Sequence, residues 1–221
     1  MNAFHALRDT WFFFSTHLVS IARLCLPLVF LETLVQYQVS EALGNDSNAP
    51  HGLLVGLFFY PLYTGALILF LNARSSGGEM PSDRELLARS LQLWPRFAIL
   101  AGATTLATLA GVYLYVLPGI WIMIKLAFAD YLLVLRGVTP LRALYQSFTL
   151  TSGFFWPILL CVLCVMLPVW GFELWRVQGD GSEPNALAEL LFGTIGRFFQ
   201  LFSTVVLFRL FMLRDALPQR A

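Results

Sequence analysis

Four charged residues, Glu32, Lys125, Asp130 and Arg197, stand inside stretches of sequence that are otherwise almost wholly apolar. A charge at the middle of a bilayer costs ~3 kcal/mol even on the mildest insertion scale, so such residues face a partner, a cavity or a path for ions or protons. Buried carboxylates can hold protons or cations, and guanidinium or ammonium groups can hold phosphate. The other reactive groups form no site. Cys161 and Cys164 have the spacing of a redox pair, yet they sit deep in an uncharged run where a thiolate is unfavourable. His5, His17 and His51 are dispersed, with no metal-binding spacing and no carboxylate nearby. No GxSxG, P-loop or GxGxxG motif occurs, and the hydroxyl residues have no base within sequence reach. These residues predict no catalytic centre, no cofactor and no metal.

What must position the four charges is a set of membrane-crossing helices. The 221 residues are 58% hydrophobic and only 12% charged, against about 25% charged in a soluble domain. A mean hydropathy of +0.72 agrees. Three windows, 53–71, 97–117 and 154–172, contain no charged residue and match the length needed to cross a hydrocarbon core of about 30 Å. Three more are apolar but carry charge: 19–40 with Arg23 and Glu32, 120–135 with Lys125 and Asp130, and 186–213 with Glu189, Arg197 and Arg209. The expected fold is therefore an all-α integral membrane protein, one polytopic domain with spans near 18–42, 52–73, 96–117, 119–135, 153–175 and 186–213. Such spans leave little chain for a soluble domain. A net charge of +1 gives no reason to expect nucleic acid as a partner. Three cysteines, all in apolar runs, do not make a disulfide framework. Arg8, Asp9 and His17 interrupt the N-terminal segment, which does not resemble a signal peptide.

Lys and Arg near span ends mark the cytoplasmic side. The 74–96 connection carries Arg74, Arg84, Arg89 and Arg96, and the 136–153 connection carries Arg136 and Arg142. Arg8, Arg214 and Arg220 flank the two ends. The intervening connections hold only Arg176. This alternation predicts both termini in the cytoplasm.

The cytoplasmic connections have helical patterning of their own. Ser82 or Asp83 can cap a helix over 82–94, Thr139-Pro140 can open another over 140–151, and 3–16 supplies a third. Each precedes a span and is expected to lie along the inner interface. Leu87, Ser90 and Leu93 align with Leu144, Ser147 and Leu150 at one constant offset, and Leu7, Thr10 and Phe13 align at another. The chain thus reads as three parallel copies of an interfacial helix plus a transmembrane hairpin. Pro27, Pro61 and Pro168 lie within spans and can kink them. Gly102, Ala103, Ala110 and Gly111 put small residues on one face of the third span, where another backbone can approach closely.

At 1.5 Å per residue, Glu32 lies roughly 20 Å and Arg197 roughly 24 Å from the cytoplasmic side, depths that permit an ion pair. Lys125, roughly 15 Å deep, competes for Glu32 in this reading. Asp130 falls near the inner headgroups, at the level of Arg23 and Arg209. Lys125 and Asp130, five residues apart, point about 140° away from each other around one helix. Two outcomes follow for these groups: buried pairs that fix helix packing, with Lys125 and Arg209 reaching for the interface, or a polar cavity for a headgroup, ion or proton.

Three stretches carry a family resemblance: Leu7-Arg8-Asp9-Thr10 with the Phe run after it, Leu117-Pro118-Gly119-Ile120, and the segment from Leu207 to Leu213. They resemble the YciC-like family of uncharacterised bacterial inner-membrane proteins. The stretch from Leu117 to Trp156 is also similar to membrane domains that accompany lipid-directed enzymes such as glycerophosphodiesterases. The resemblance implies six helices in a Gram-negative inner membrane and transfers no catalytic residue. Lys125 and Asp130 depart from the family pattern. The resulting expectation is a non-enzymatic protein tied to envelope or lipid homeostasis, with membrane lipids or a membrane protein as partner. In this reading Arg84, Arg89, Arg136 and Arg142 face anionic headgroups. The rivals are a small transporter using Glu32, Lys125, Asp130 and Arg197, and an assembly subunit that docks through the small-residue face.

Overall fold

Helix is the only regular element in the computed structural model, which describes residues 3–43, 51–77, 81–178 and 186–215. The elements are α1 (Ala3–Leu43), α2 (His51–Ser76), α3 (Asp83–Leu114), α4 (Val116–Leu126), α5 (Ala129–Arg136), α6 (Pro140–Leu150), α7 (Phe155–Gln178) and α8 (Ala186–Asp215). Five stretches are long and apolar enough to cross a membrane: the bulk of α1, α2, α3, α4 with α5, and α8. A sixth arises if α6 and α7, bent by 105°, count as one broken span. The protein is an all-α, multi-pass membrane protein.

Its outer surface fits that solvent. Leu106 on α3 is 70% exposed and Tyr113 is 97% exposed, and apolar side chains of this kind cover the outside of the bundle. Patches of such extent in water would drive association, whereas acyl chains cover them at no cost. The interior is also apolar: Ile21, Val29, Leu67, Phe97, Leu132 and Phe211 are buried in one continuous core.

The helices close into a ring. α1 packs on α2, α2 on α3, α3 on α4, α5 on α6, α7 on α8, and α8 returns to α1. Three hairpins thus succeed one another, and the return arms α2, α5 and α8 each end in an arginine, Arg74, Arg136 or Arg214. Cations there are favoured by the partial negative charge of a helix C-terminus.

The three leading segments differ in form. Residues 3–16 and 82–94 are not separate interfacial helices; they run without a break into α1 and α3, and Pro95 lies within α3. Only 140–150 stands apart as α6, because Thr151, Ser152 and a left-handed Gly153 break the chain before α7. Ser82 caps α3 with a full capping box: its hydroxyl accepts from the Glu85 amide, and the Glu85 carboxylate accepts from the Ser82 amide. Thr139 stands at the N-cap position of α6 without a side-chain cap bond, and Pro140 takes the first helical position.

The turn between the third and fourth spans is not at Pro118-Gly119 but at the single extended residue Tyr115. Pro118 falls in the first turn of α4, where a missing N–H leaves no helical bond unmade. Gly119 serves the crossing instead. A methyl group on it would stand 2.8 Å from the Val112 amide nitrogen, and one on Gly111 would stand 2.9 Å from the Gly119 Cα. The two glycines let the backbones of α3 and α4 touch. Gly102 faces Leu57 of α2. These two glycines of the small-residue face therefore pack within the chain.

Inside two spans a buried hydroxyl bonds to backbone groups of a neighbouring helix. α2 runs unbroken past Pro61, and the Ser90 hydroxyl donates to the carbonyls of Leu62, at 2.7 Å, and Pro61, at 3.2 Å. Gly65 makes room for it, since a Cβ there would lie 2.6 Å from Ser90 Oγ. The α4–α5 break at Ala127 and Phe128 is closed by Ser147, which accepts from the Phe128 amide at 3.1 Å and donates to the Lys125 carbonyl at 2.8 Å. In hydrocarbon an unmet backbone group costs several kcal/mol, so Ser147 holds the α4–α5 break in place, while Ser90 ties α3 to α2. Ser90 and Ser147 occupy matching positions in the proposed repeat. The third member, Thr10, is also buried, next to Trp11, which packs on Phe202 of α8.

Candidate functional site

The four intramembrane charges separate into three places. Arg197 of α8 donates to both Glu32 and Gln36 of α1, one turn apart, so one guanidinium spans the two side chains. Glu32 is buried, with 1% of its side chain accessible, while 30% of the Arg197 side chain stays accessible. Gly56 and Gly193 clear the space: a Cβ on Gly56 would meet Glu32 Oε1 at 3.6 Å, and one on Gly193 would meet Thr33 at 3.0 Å. The second oxygen, Glu32 Oε2, has no hydrogen-bond partner among the described residues, although the Tyr63 hydroxyl faces the same carboxyl.

Asp130 is not shared by Arg23 and Arg209. Its Oδ2 accepts from the Tyr60 hydroxyl at 2.7 Å, while its neighbour Tyr131 donates to the Thr204 carbonyl of α8 at 2.8 Å. Arg23 pairs with Asp83 at 3.3 Å on an open surface, where such a pair contributes little. That pair ties Arg23 to the first residue of α3, and Tyr60 lies closer to Asp130 than either arginine.

Lys125 does not compete for Glu32. Its ammonium donates to Ser152 Oγ at 2.9 Å and lies 4.9 Å from the Phe148 ring centroid and 5.7 Å from that of Trp121. The bend between α6 and α7 brings these groups to it. Cation–π contact and one hydroxyl thus replace a counter-ion. Glu32, Asp130 and Lys125 thus each meet a different partner: Arg197, Tyr60 and Ser152.

The headgroup candidates Arg84, Arg89, Arg136 and Arg142 are exposed along α3, α5 and α6, and none of them is among the lining residues of the cleft between α1, α2 and α8. A different set is gathered. Between the start of α1 and the ends of α2 and α8 lies a cleft of about 880 Å³. That volume is in the range of small-molecule sites. Arg8, Arg74 and Arg209 line it, with His17, Ser15, Thr16 and Ser75. Trp11, Phe13, Leu71, Val205 and Phe208 give it apolar walls, and among the described residues no carboxylate lines it. His17 stacks on Phe13 at 4.4 Å between centroids, and its Nδ1 donates to the Phe13 carbonyl at 3.0 Å, which fixes the ring at the wall.

Sequence reasoning placed Arg8 and Arg74 on the cytoplasmic side and Arg209 near the same level, without joining them. The signal was available in part: each stands within a turn or two of a helix end on the same side. Their convergence depends on α8 packing against α1, which no local pattern records.

No family model, curated protein or solved structure matches the chain. The resemblance to YciC-like proteins therefore rests on the quoted stretches alone.

Proposed function

We propose that the protein is a non-enzymatic component of a bacterial inner membrane that binds an anionic lipid headgroup at its cytoplasmic face, in the service of envelope or lipid homeostasis. The observation that carries this reading is the cleft between α1, α2 and α8. It combines three guanidinium groups with aromatic and aliphatic walls, and it opens at helix ends where headgroups meet acyl chains. Cytoplasmic placement is supported by the concentration of arginines at that side of the bundle; with six spans both termini share it.

Native mass spectrometry of protein from nanodiscs of phosphatidylcholine doped with phosphatidylglycerol tests the reading. Wild type should retain phosphatidylglycerol in preference. A variant carrying Arg8→Gln, Arg74→Gln and Arg209→Gln should lose that preference while keeping its thermal stability. Equal retention by both proteins would sink the proposal.

One observation favours a second reading, a small transporter: the buried Glu32 carboxylate with one oxygen unpartnered, deep in the first span. Proteoliposomes loaded with a pH-sensitive dye test it. Proton entry that Glu32→Gln abolishes would favour transport, and identical traces for variant and wild type would reject it.

A further inference from the structure

The cleft's charge count narrows its ligand beyond a generic anionic lipid, an inference that rests on the headgroup reading above. Arg8, Arg74 and Arg209 bring three positive charges to one opening, with no carboxylate among the described residues that line it. The contrast with other arginines of the chain is informative. Arg23 is paired with Asp83, Arg197 with Glu32, and Arg214 donates to the Leu150 carbonyl and covers the Phe154 ring. Among the described residues none of the three cleft arginines has a carboxylate within ion-pair range.

A phosphodiester headgroup carries one negative charge and would leave most of that field unanswered. A phosphomonoester carries close to two charges at neutral pH and presents three acceptor oxygens. Guanidinium groups match such oxygens with paired N–H donors, and a surface where lipid excludes water strengthens each contact. Ser15, Thr16 and Ser75 add neutral donors at the same opening.

The walls identify the ligand as a lipid rather than a free phosphate. Trp11 and Phe12 are 56% and 73% exposed at the edge of the cleft, and Phe13, Val205 and Phe208 continue the apolar surface. A soluble phosphate ester would leave that surface uncovered.

From this charge and surface pattern we infer that the α1–α2–α8 cleft selects a membrane lipid with a terminal phosphomonoester over phosphodiester lipids. No bond is made or broken in this step; it is recognition.

The test uses full-length protein in phosphatidylcholine nanodiscs containing equal small fractions of dioleoyl phosphatidic acid and dioleoyl phosphatidylglycerol, with bound lipid read by native mass spectrometry. Phosphatidic acid should be retained about fivefold over phosphatidylglycerol, the ratio that about 1 kcal/mol for one further arginine contact yields. Arg74→Gln and Arg209→Gln should each narrow the ratio, and Arg96→Gln, on an exposed arginine away from the cleft, should not. Lipid-free thermal unfolding in detergent confirms that each variant is folded. Equal retention of the two anionic lipids, both above phosphatidylcholine, would overturn the phosphomonoester inference and leave the headgroup reading standing. Retention of neither would overturn both. Stabilisation by glycerol 3-phosphate or inorganic phosphate as large as that by phosphatidic acid would overturn the lipid source. A loss in Arg96→Gln equal to that in Arg74→Gln would assign binding to diffuse surface charge and overturn the cleft.

Discussion

At the residue scale, the chain's buried charges are settled one at a time, each by what its own helix neighbours offer. Glu32 and Arg197 were legible because depth along a helix is countable: both fall near the same level, and opposite charges in hydrocarbon seek each other. Asp130 was not legible in the same way. Its partner is Tyr60, a residue type that composition assigns to interfacial belts, and nothing in the spacing marks one phenol as a hydrogen-bond donor. Lys125 is a further case, since its ring partners Trp121 and Phe148 come from two helices. Removing one partner of a buried pair leaves an uncompensated charge, so Arg197→Ala should destabilise by about 3–5 kcal/mol. Glu32→Ala with Arg197→Ala should recover much of that loss. Thermal unfolding in detergent measures both, and a double variant no more stable than the single would show that the pair does not act as a unit.

At the scale of elements, prolines, glycines and small polar residues decide where helices bend and touch. Ser82 as a cap and Thr139-Pro140 as a helix start could be read directly, because capping is local chemistry. The length of each element could not. Residues 82–94 carry a partly apolar face that suits an interfacial helix, but Pro95 is accommodated and α3 continues to Leu114. The same contact logic gives two predictions. Gly65→Ala would place a methyl group 2.6 Å from Ser90 Oγ, and either α3 must shift or the hydroxyl must leave its carbonyls. A loss of about 1–3 kcal/mol is expected, read as a lower midpoint in a thermal scan. Ser90→Gly should relieve part of it in the double variant. Ser147→Ala should cost about 1–3 kcal/mol by leaving the Phe128 amide without its acceptor, with Thr151 still serving the Lys125 carbonyl. Hydrogen exchange at the α4–α5 break should rise in that variant, and unchanged protection would remove Ser147 from the role given to it.

At the scale of the molecule, membrane residence and helical class follow from composition and window length alone, since few folds satisfy every backbone group in lipid. The cleft does not follow, because Arg8 and Arg209 are separated by nearly the whole chain and meet only when the ring closes. The orientation proposed for the bundle has its own check. A green fluorescent protein fused after Arg214 should fluoresce in a bacterial cytoplasm, and alkaline phosphatase at the same point should be inactive. Active phosphatase would invert the bundle and remove the cleft from the inner leaflet.

The contact between α1 and α8 has one more consequence. A ring of hairpins has no first member, and the start of the chain and its last helix line one cleft. Joining the two ends through a short linker and reopening the chain between α2 and α3 would therefore change the order in which the hairpins leave the ribosome while leaving each neighbour in place. Such a permuted protein should insert and unfold much like the original.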